Sequence, residues 1–153
     1  MAYRKCATLW AALAAWFGVM ILAGSALAAD PAAAGGPRLA IKGYDPVAYF
    51  AEGRPVEGSA AFEQVWENTR WRFSSAVNLD RFKADPDRYA PQYAGYCAYG
   101  IANGAKLEVD PRAWKIVNGK LYLNNNRDTQ KDWVKDQTAN IGRADANWAG
   151  MNK

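Results

Sequence analysis

Apolar positions fall into three regimes along this chain. Residues 7–22 form an almost unbroken apolar run, interrupted only by Thr8 and Gly18. Residues 30–37 (D-P-A-A-A-G-G-P) are small and turn-prone, with nothing to bury. From there to the end, aromatic and branched side chains alternate with charged ones in short stretches, the pattern of a packed domain and not of a disordered segment.

Those stretches predict alternating strands and helices. Asp45-Pro46 opens a short helix carrying Val47, Tyr49 and Phe50, ended by Gly53. Residues 61–73 read as a hairpin turning near Glu67-Asn68-Thr69, with Trp71 and Phe73 on one face of its second strand and Arg70 and Arg72 on the other. Ser74 or Ser75 then caps a helix through residues 78–83, which stops before Asp85-Pro86. Asn118-Gly119, the strongest short turn signal, joins strands at 114–117 and 120–123. A last helix spans about 128–141 with Trp133, Val134 and Ile141 at helical spacing, broken by Gly142, and Trp148 tucks the tail onto the core. No internal repeat is visible. The fold class this predicts is α+β: one small domain of antiparallel hairpins packed with short helices.

The N-terminal run has the three parts of a cleavable signal peptide: Arg4 and Lys5, the apolar stretch, and Ala26-Leu27-Ala28 as an A-x-A cleavage site. The expected organisation is therefore a signal peptide at 1–28, a flexible lead-in at 29–40 and a domain at 41–153. It implies an exported protein, periplasmic in a Gram-negative cell, with no stable membrane span after cleavage. Cleavage also changes the chemistry. Cys6, Met1 and Met20 leave, so the mature chain keeps Cys97, Met151 and no histidine. Arg4 and Lys5 leave and no acid does, so the formal charge falls from +4 to +2. Neither that charge nor the arrangement of basic and aromatic residues points to nucleic acid.

The stretch W-R-F-S-S-A-V-N-L-D-R-F-K-A-D-P-D-R-Y at 71–89 resembles the YHS domain, which runs aromatic–x–Phe–Cys/Ser–Ser, a short helix, then Phe–x–x–Asp–Pro–x–x–Tyr. Upstream, G-Y-D-P-V-A-Y-F at 43–50 looks like that family's Asp–Pro–Val opening. With Y-A-G-Y-C-A-Y-G at 93–100 and D-P-R-A-W-K-I-V-N-G-K-L-Y-L-N at 110–124, residues 42–148 are similar to an exported bacterial subfamily of YHS-domain proteins. Some relatives found beside metal transporters carry cysteines suited to soft metals. At those three positions this chain has Ala48, Ser74 and Asn78. The resemblance therefore implies the fold but not the metal function.

Structural zinc wants four Cys or His ligands, and copper wants thiolate, thioether or imidazole. No such set exists in the mature chain, so no metal site and no cofactor is expected. Copper on a lone thiolate and haem on Tyr or Cys are the outlying alternatives. Cys97 lies among Tyr89, Tyr93, Tyr96 and Tyr99, which would share one face if the stretch were helical, although Pro91 and Gly95 oppose one continuous helix. Either these groups are packing, or the phenols and the thiol converge on a small ligand. Asp85 and Asp87 around Pro86, and Asp110 before Pro111, read as cap and turn residues. No catalytic constellation stands out, and no histidine can activate the thiol. The reading is a non-catalytic binding module, monomeric or weakly dimeric, for a small ligand or an envelope protein. Its candidate site is Tyr93, Tyr96, Cys97 and Tyr99. The alternatives are a soft-metal or redox accessory factor acting through Cys97, or a histidine-free enzyme.

Overall fold

The computed structural model describes residues 36–151. The signal-peptide segment at 1–28 and the first part of the lead-in lie outside the described residues. The elements follow in the order β1 (Arg38–Leu39), α1 (Ala48–Ala51), β2 (Ser59–Trp66), β3 (Thr69–Phe73), α2 (Ala76–Ala84), α3 (Pro86–Tyr89), α4 (Ala98–Ala102), β4 (Trp114–Val117), β5 (Lys120–Leu123), α5 (Arg127–Lys135) and α6 (Gln137–Met151). This is the α+β domain the pattern predicts. Among the described residues no helix is long and apolar enough to cross a membrane.

Both hairpins form where the turn residues place them. Asn118 and Gly119 take φ of 50° and 74°, and Glu67 and Asn68 take 48° and 53°. Two central residues at positive φ are what a tight two-residue hairpin needs to match strand twist. In the first sheet β3 lies between β2, antiparallel to it, and β1, parallel to it. Arg38 and Leu39 thus belong to the sheet and Ala40 is buried, so the domain begins inside the stretch assigned to the lead-in. The second sheet is the β4–β5 hairpin, with Trp114 opposite Leu123 and Val117 opposite Lys120.

Strand β5 is buried on both faces and divides the core in two. Leu121 and Leu123 point into a cluster with Ile41, Val47, Tyr49, Trp71, Phe73 and Phe82. Tyr122, one residue between them, points the other way, into a cluster with Tyr93, Ile101, Trp133 and Ala144. Phe82 packs against Trp66, Trp71 and Phe73 at ring separations of 5.9, 5.7 and 5.1 Å. It is presented by α2, which Ser75 caps by accepting from the Asn78 N–H.

The C-terminal region departs from the single helix expected at 128–141. Asn126 caps α5 through the Thr129 N–H, and the chain leaves helical geometry at Asp136 (φ −138°, ψ 57°). Gly142 does not break the helix; it lies inside α6, which runs on to Met151 and carries Trp148 back onto the domain. Asn140 secures the corner by donating to the Trp133 carbonyl at 2.8 Å. Packing outweighs the modest penalty of one exposed glycine in a helix.

A backbone feature recurs where the sequence shows no repeat. Ile41, Lys42 and Gly43 (φ 51°, 52°, 85°) make a left-handed turn closed by the Tyr44 N–H on the Ile41 carbonyl at 3.0 Å. Tyr93, Ala94 and Gly95 (φ 59°, 50°, 76°) make the same turn, closed by Tyr96 on Tyr93 at 3.0 Å. The two pack together: a Cβ on Gly95 would sit 3.5 Å from Ile41 Cγ1. After each Gly-Tyr comes a side chain that holds the start of a helix, Asp45 in the first and Cys97 in the second.

Candidate functional site

The second left-handed turn scatters the four residues that the sequence gathers. The stretch 89–99 is not one helix: α3 ends at Tyr89, the chain is extended at Ala90 and Pro91, and the turn at 93–95 resets its direction before α4. Cys97 faces inward with no exposed surface. Its Sγ accepts from the Gly100 N–H at 3.3 Å and lies 3.8 Å from Asn124 Oδ1. Asn124 is itself buried; its Oδ1 also accepts from the Tyr99 N–H at 3.3 Å. Tyr99 is half-buried between the two core clusters. Thiol and phenols therefore do not converge on one pocket. The thiol is packing and helix cap, closed to solvent.

Tyr96 is half-buried, and Tyr93, though almost wholly buried, borders a surface hollow. They flank Trp148 of α6, at ring separations of 6.0 and 6.2 Å. Two hollows adjoin there, sharing Glu67, Ala94 and Trp148. The first, of about 240 Å³, lies between Trp66, Tyr93 and Trp148, with Glu67, Asp87 and Asp145 at its wall. The second, of about 340 Å³, is bordered by Arg38, Tyr96, Lys106 and Trp148.

Electrostatics and hydrogen bonds fix these walls. The Arg38 guanidinium stacks 4.0 Å from the Tyr96 ring centroid, donates to the Ala94 carbonyl and reaches Glu108 at 3.3 Å. Lys106 Nζ stands 5.2 Å from the Trp148 ring centroid and 5.7 Å from that of Tyr96, and it donates to the Met151 carbonyl at 3.0 Å. Cations over aromatic faces hold their geometry through the ring quadrupole. The Tyr93 hydroxyl donates to Asp145 Oδ1 at 2.9 Å; burial, and then this carboxylate, push its pKa well above the ordinary tyrosine value.

Ala48, Ser74 and Asn78 meet elsewhere, around Asp45. This fully buried carboxylate accepts from the Val47 and Ala48 N–H groups at 2.8 and 3.3 Å through Oδ1. Through Oδ2 it accepts from the Ser74 N–H at 2.8 Å, the Ser74 hydroxyl at 2.7 Å and Asn78 Nδ2 at 2.7 Å. Ala48, Ser74 and Asn78 are thus brought to one point, but as donors to a buried anion. Hard oxygen and amide groups already committed to each other do not fit a soft metal. Nor do three or more His, Cys, Asp or Glu side chains gather in metal-binding geometry anywhere among the described residues.

Asp85 accepts from the Arg88 N–H at 3.2 Å and Asp110 from the Arg112 N–H at 2.9 Å, the cap and turn roles their neighbouring prolines indicate. Tyr93 and Tyr96 are among the residues the sequence singles out; Lys106, ten positions after Tyr96, and Arg38 and Asp145, from distant parts of the chain, are not. Tyr93 and Asp145 are 52 positions apart, Arg38 and Ala94 56. The one available signal was Trp148, a large aromatic in an otherwise small and polar tail. No protein-family model, curated protein or solved structure matches this chain.

Proposed function

We propose that this chain is an exported, non-catalytic binding module of YHS type, holding a small ligand or an envelope protein on the face built around Trp148. The observation that carries this reading is the pair of adjoining hollows that share Trp148 and are flanked by Tyr93 and Tyr96. Aromatic walls whose positions are set by neighbouring side chains, with a few charged groups at the edge, are the usual make-up of a binding site. The YHS reading draws support from the convergence of Ala48, Ser74 and Asn78 on Asp45, since a family site needs its positions to meet in space. The reading through Cys97 as soft ligand or oxidation sensor is weaker, because a thiol without exposed surface meets neither metal nor oxidant until the core opens.

Native mass spectrometry of protein purified from its own cell envelope tests this. The expected result is a bound adduct that survives Cys97→Ser and is lost in Trp148→Ala. An adduct lost in Cys97→Ser and kept in Trp148→Ala would transfer the function to the thiol. N-terminal sequencing of the same material should begin at Ala29.

A further inference from the structure

We infer that the hollow between Trp66, Tyr93 and Trp148 takes a small organic cation of the substituted-ammonium class. The inference rests on the binding reading above and gives its ligand a chemistry. Three aromatic residues and three acidic ones, Glu67, Asp87 and Asp145, line this hollow, and among the described residues no lysine or arginine lines it. One basic group touches its wall from outside: Lys106 Nζ, on the side of the adjoining hollow, stands 5.2 Å from the Trp148 ring centroid. Arg88, next to Asp87, lies 5.3 Å over the Tyr89 ring, while Arg38 and Lys106 border the adjoining hollow. An anion would be repelled by these acidic residues, and a neutral molecule would gain nothing from their charge. A cation is favoured both by the acidic residues and by the aromatic ones, and alkyl groups on its nitrogen add apolar contact with the latter.

The walls are held before any ligand arrives. Trp66 is edge-on to Phe82 at 5.9 Å, and its carbonyl accepts from Trp71 Nε1 at 3.3 Å. Trp148 is edge-on to Tyr93, and Tyr93 fixes Asp145 through its hydroxyl. Preorganisation of this kind lowers the ordering cost of binding. At about 240 Å³ the hollow falls below the roughly 300–1,000 Å³ of sites for drug-sized molecules, so its occupant is a headgroup or a very small molecule.

The test is a nuclear magnetic resonance titration of the isotope-labelled protein with choline and with dimethylbutanol, its uncharged carbon isostere. Choline should shift the indole signals of Trp66 and Trp148 saturably and bind about tenfold more tightly than the isostere. Asp87→Asn and Asp145→Asn should each weaken choline by about three- to tenfold. Trp148→Ala should abolish the saturable shift, with Trp148→Phe, which keeps a ring for packing, restoring part of it. Equal binding of choline and the isostere would overturn the inference, leaving a hollow that binds without regard to charge and the wider binding reading intact. Absence of any saturable shift at Trp66 or Trp148 with choline would overturn it as well, and the binding reading would then stand or fall on the adduct experiment.

Discussion

Two residues in equivalent places show how side-chain chemistry divides the work. Asp45 and Cys97 each follow a Gly-Tyr at the end of a left-handed turn, and each receives helix-start N–H groups. Asp45 carries a full charge into the core and is held there by five donors. Asp45→Asn would turn an NH2 group toward donors, leaving buried groups unpaired, and should cost about 3 kcal/mol or more in a urea melt. A buried thiol makes smaller demands, so its test is accessibility. A thiol reagent should leave Cys97 unlabelled in the folded protein and label it in guanidinium. Rapid labelling without denaturant would contradict the packing at Cys97. Lys42 offers a third test. It is exposed at φ 52°, where an L-residue costs about 1–2 kcal/mol and glycine does not. Lys42→Gly should therefore raise stability by about 0.5–1 kcal/mol even after glycine's added unfolded-state entropy, and an unchanged or lower melting point would contradict it.

At the scale of elements, what could be read in advance was what local chemistry decides. Asn118-Gly119 specifies a tight hairpin turn, and Ser75 with Asp85-Pro86 specifies both ends of α2. Local chemistry did not decide the C-terminal helices. The break falls at Asp136, a residue with no strong stop signal, because Trp133 must enter the core while α6 packs along α4. It did not decide the lead-in boundary either, since Arg38–Leu39 become a strand only when β3 is beside them. The candidate site was half legible for the same reason. Tyr93 and Tyr96 stand out as aromatics in a short segment, while their charged neighbours reach them only through the tertiary fold. Gly58 shows such a constraint at one position: a Cβ there would lie 2.6 Å from the Arg72 backbone carbon, and its N–H is bonded to the Gly43 carbonyl at 2.9 Å. Gly58→Ala should push β2 away from β3 and cost about 1–3 kcal/mol in denaturant unfolding; a neutral result would mean that the two strands do not approach so closely.

At the scale of the molecule, the two core clusters on either side of β5 each contain a buried tyrosine whose hydroxyl is bonded to another residue of the chain. Tyr49 donates to the Pro111 carbonyl at 2.9 Å in the first, and Tyr93 donates to Asp145 at 2.9 Å in the second. In both, burial is the chief cause that raises the pKa above the ordinary value of 10.0. Tyrosine is neutral when protonated, so a raised pKa means that the folded state keeps a proton the unfolded chain gives up. The stability contributed by these neutral hydroxyls is fully present below about pH 10 and is lost as pH climbs above that toward their raised values. Each such tyrosine removes about 1.4 kcal/mol per pH unit once the unfolded chain has ionised. The denaturant midpoint should therefore be flat through pH 9 with respect to these groups and fall steeply beyond pH 10. Tyr49→Phe and Tyr93→Phe should each lose some stability at neutral pH and each reduce the alkaline slope by about 1.4 kcal/mol per pH unit. Because the two residues sit in different clusters, the reductions should add in the double variant if the domain unfolds as one cooperative unit. A slope lowered by Tyr49→Phe alone would show that the cluster beneath Trp148 opens before the rest, and that the proposed binding face is the less stable side of the molecule.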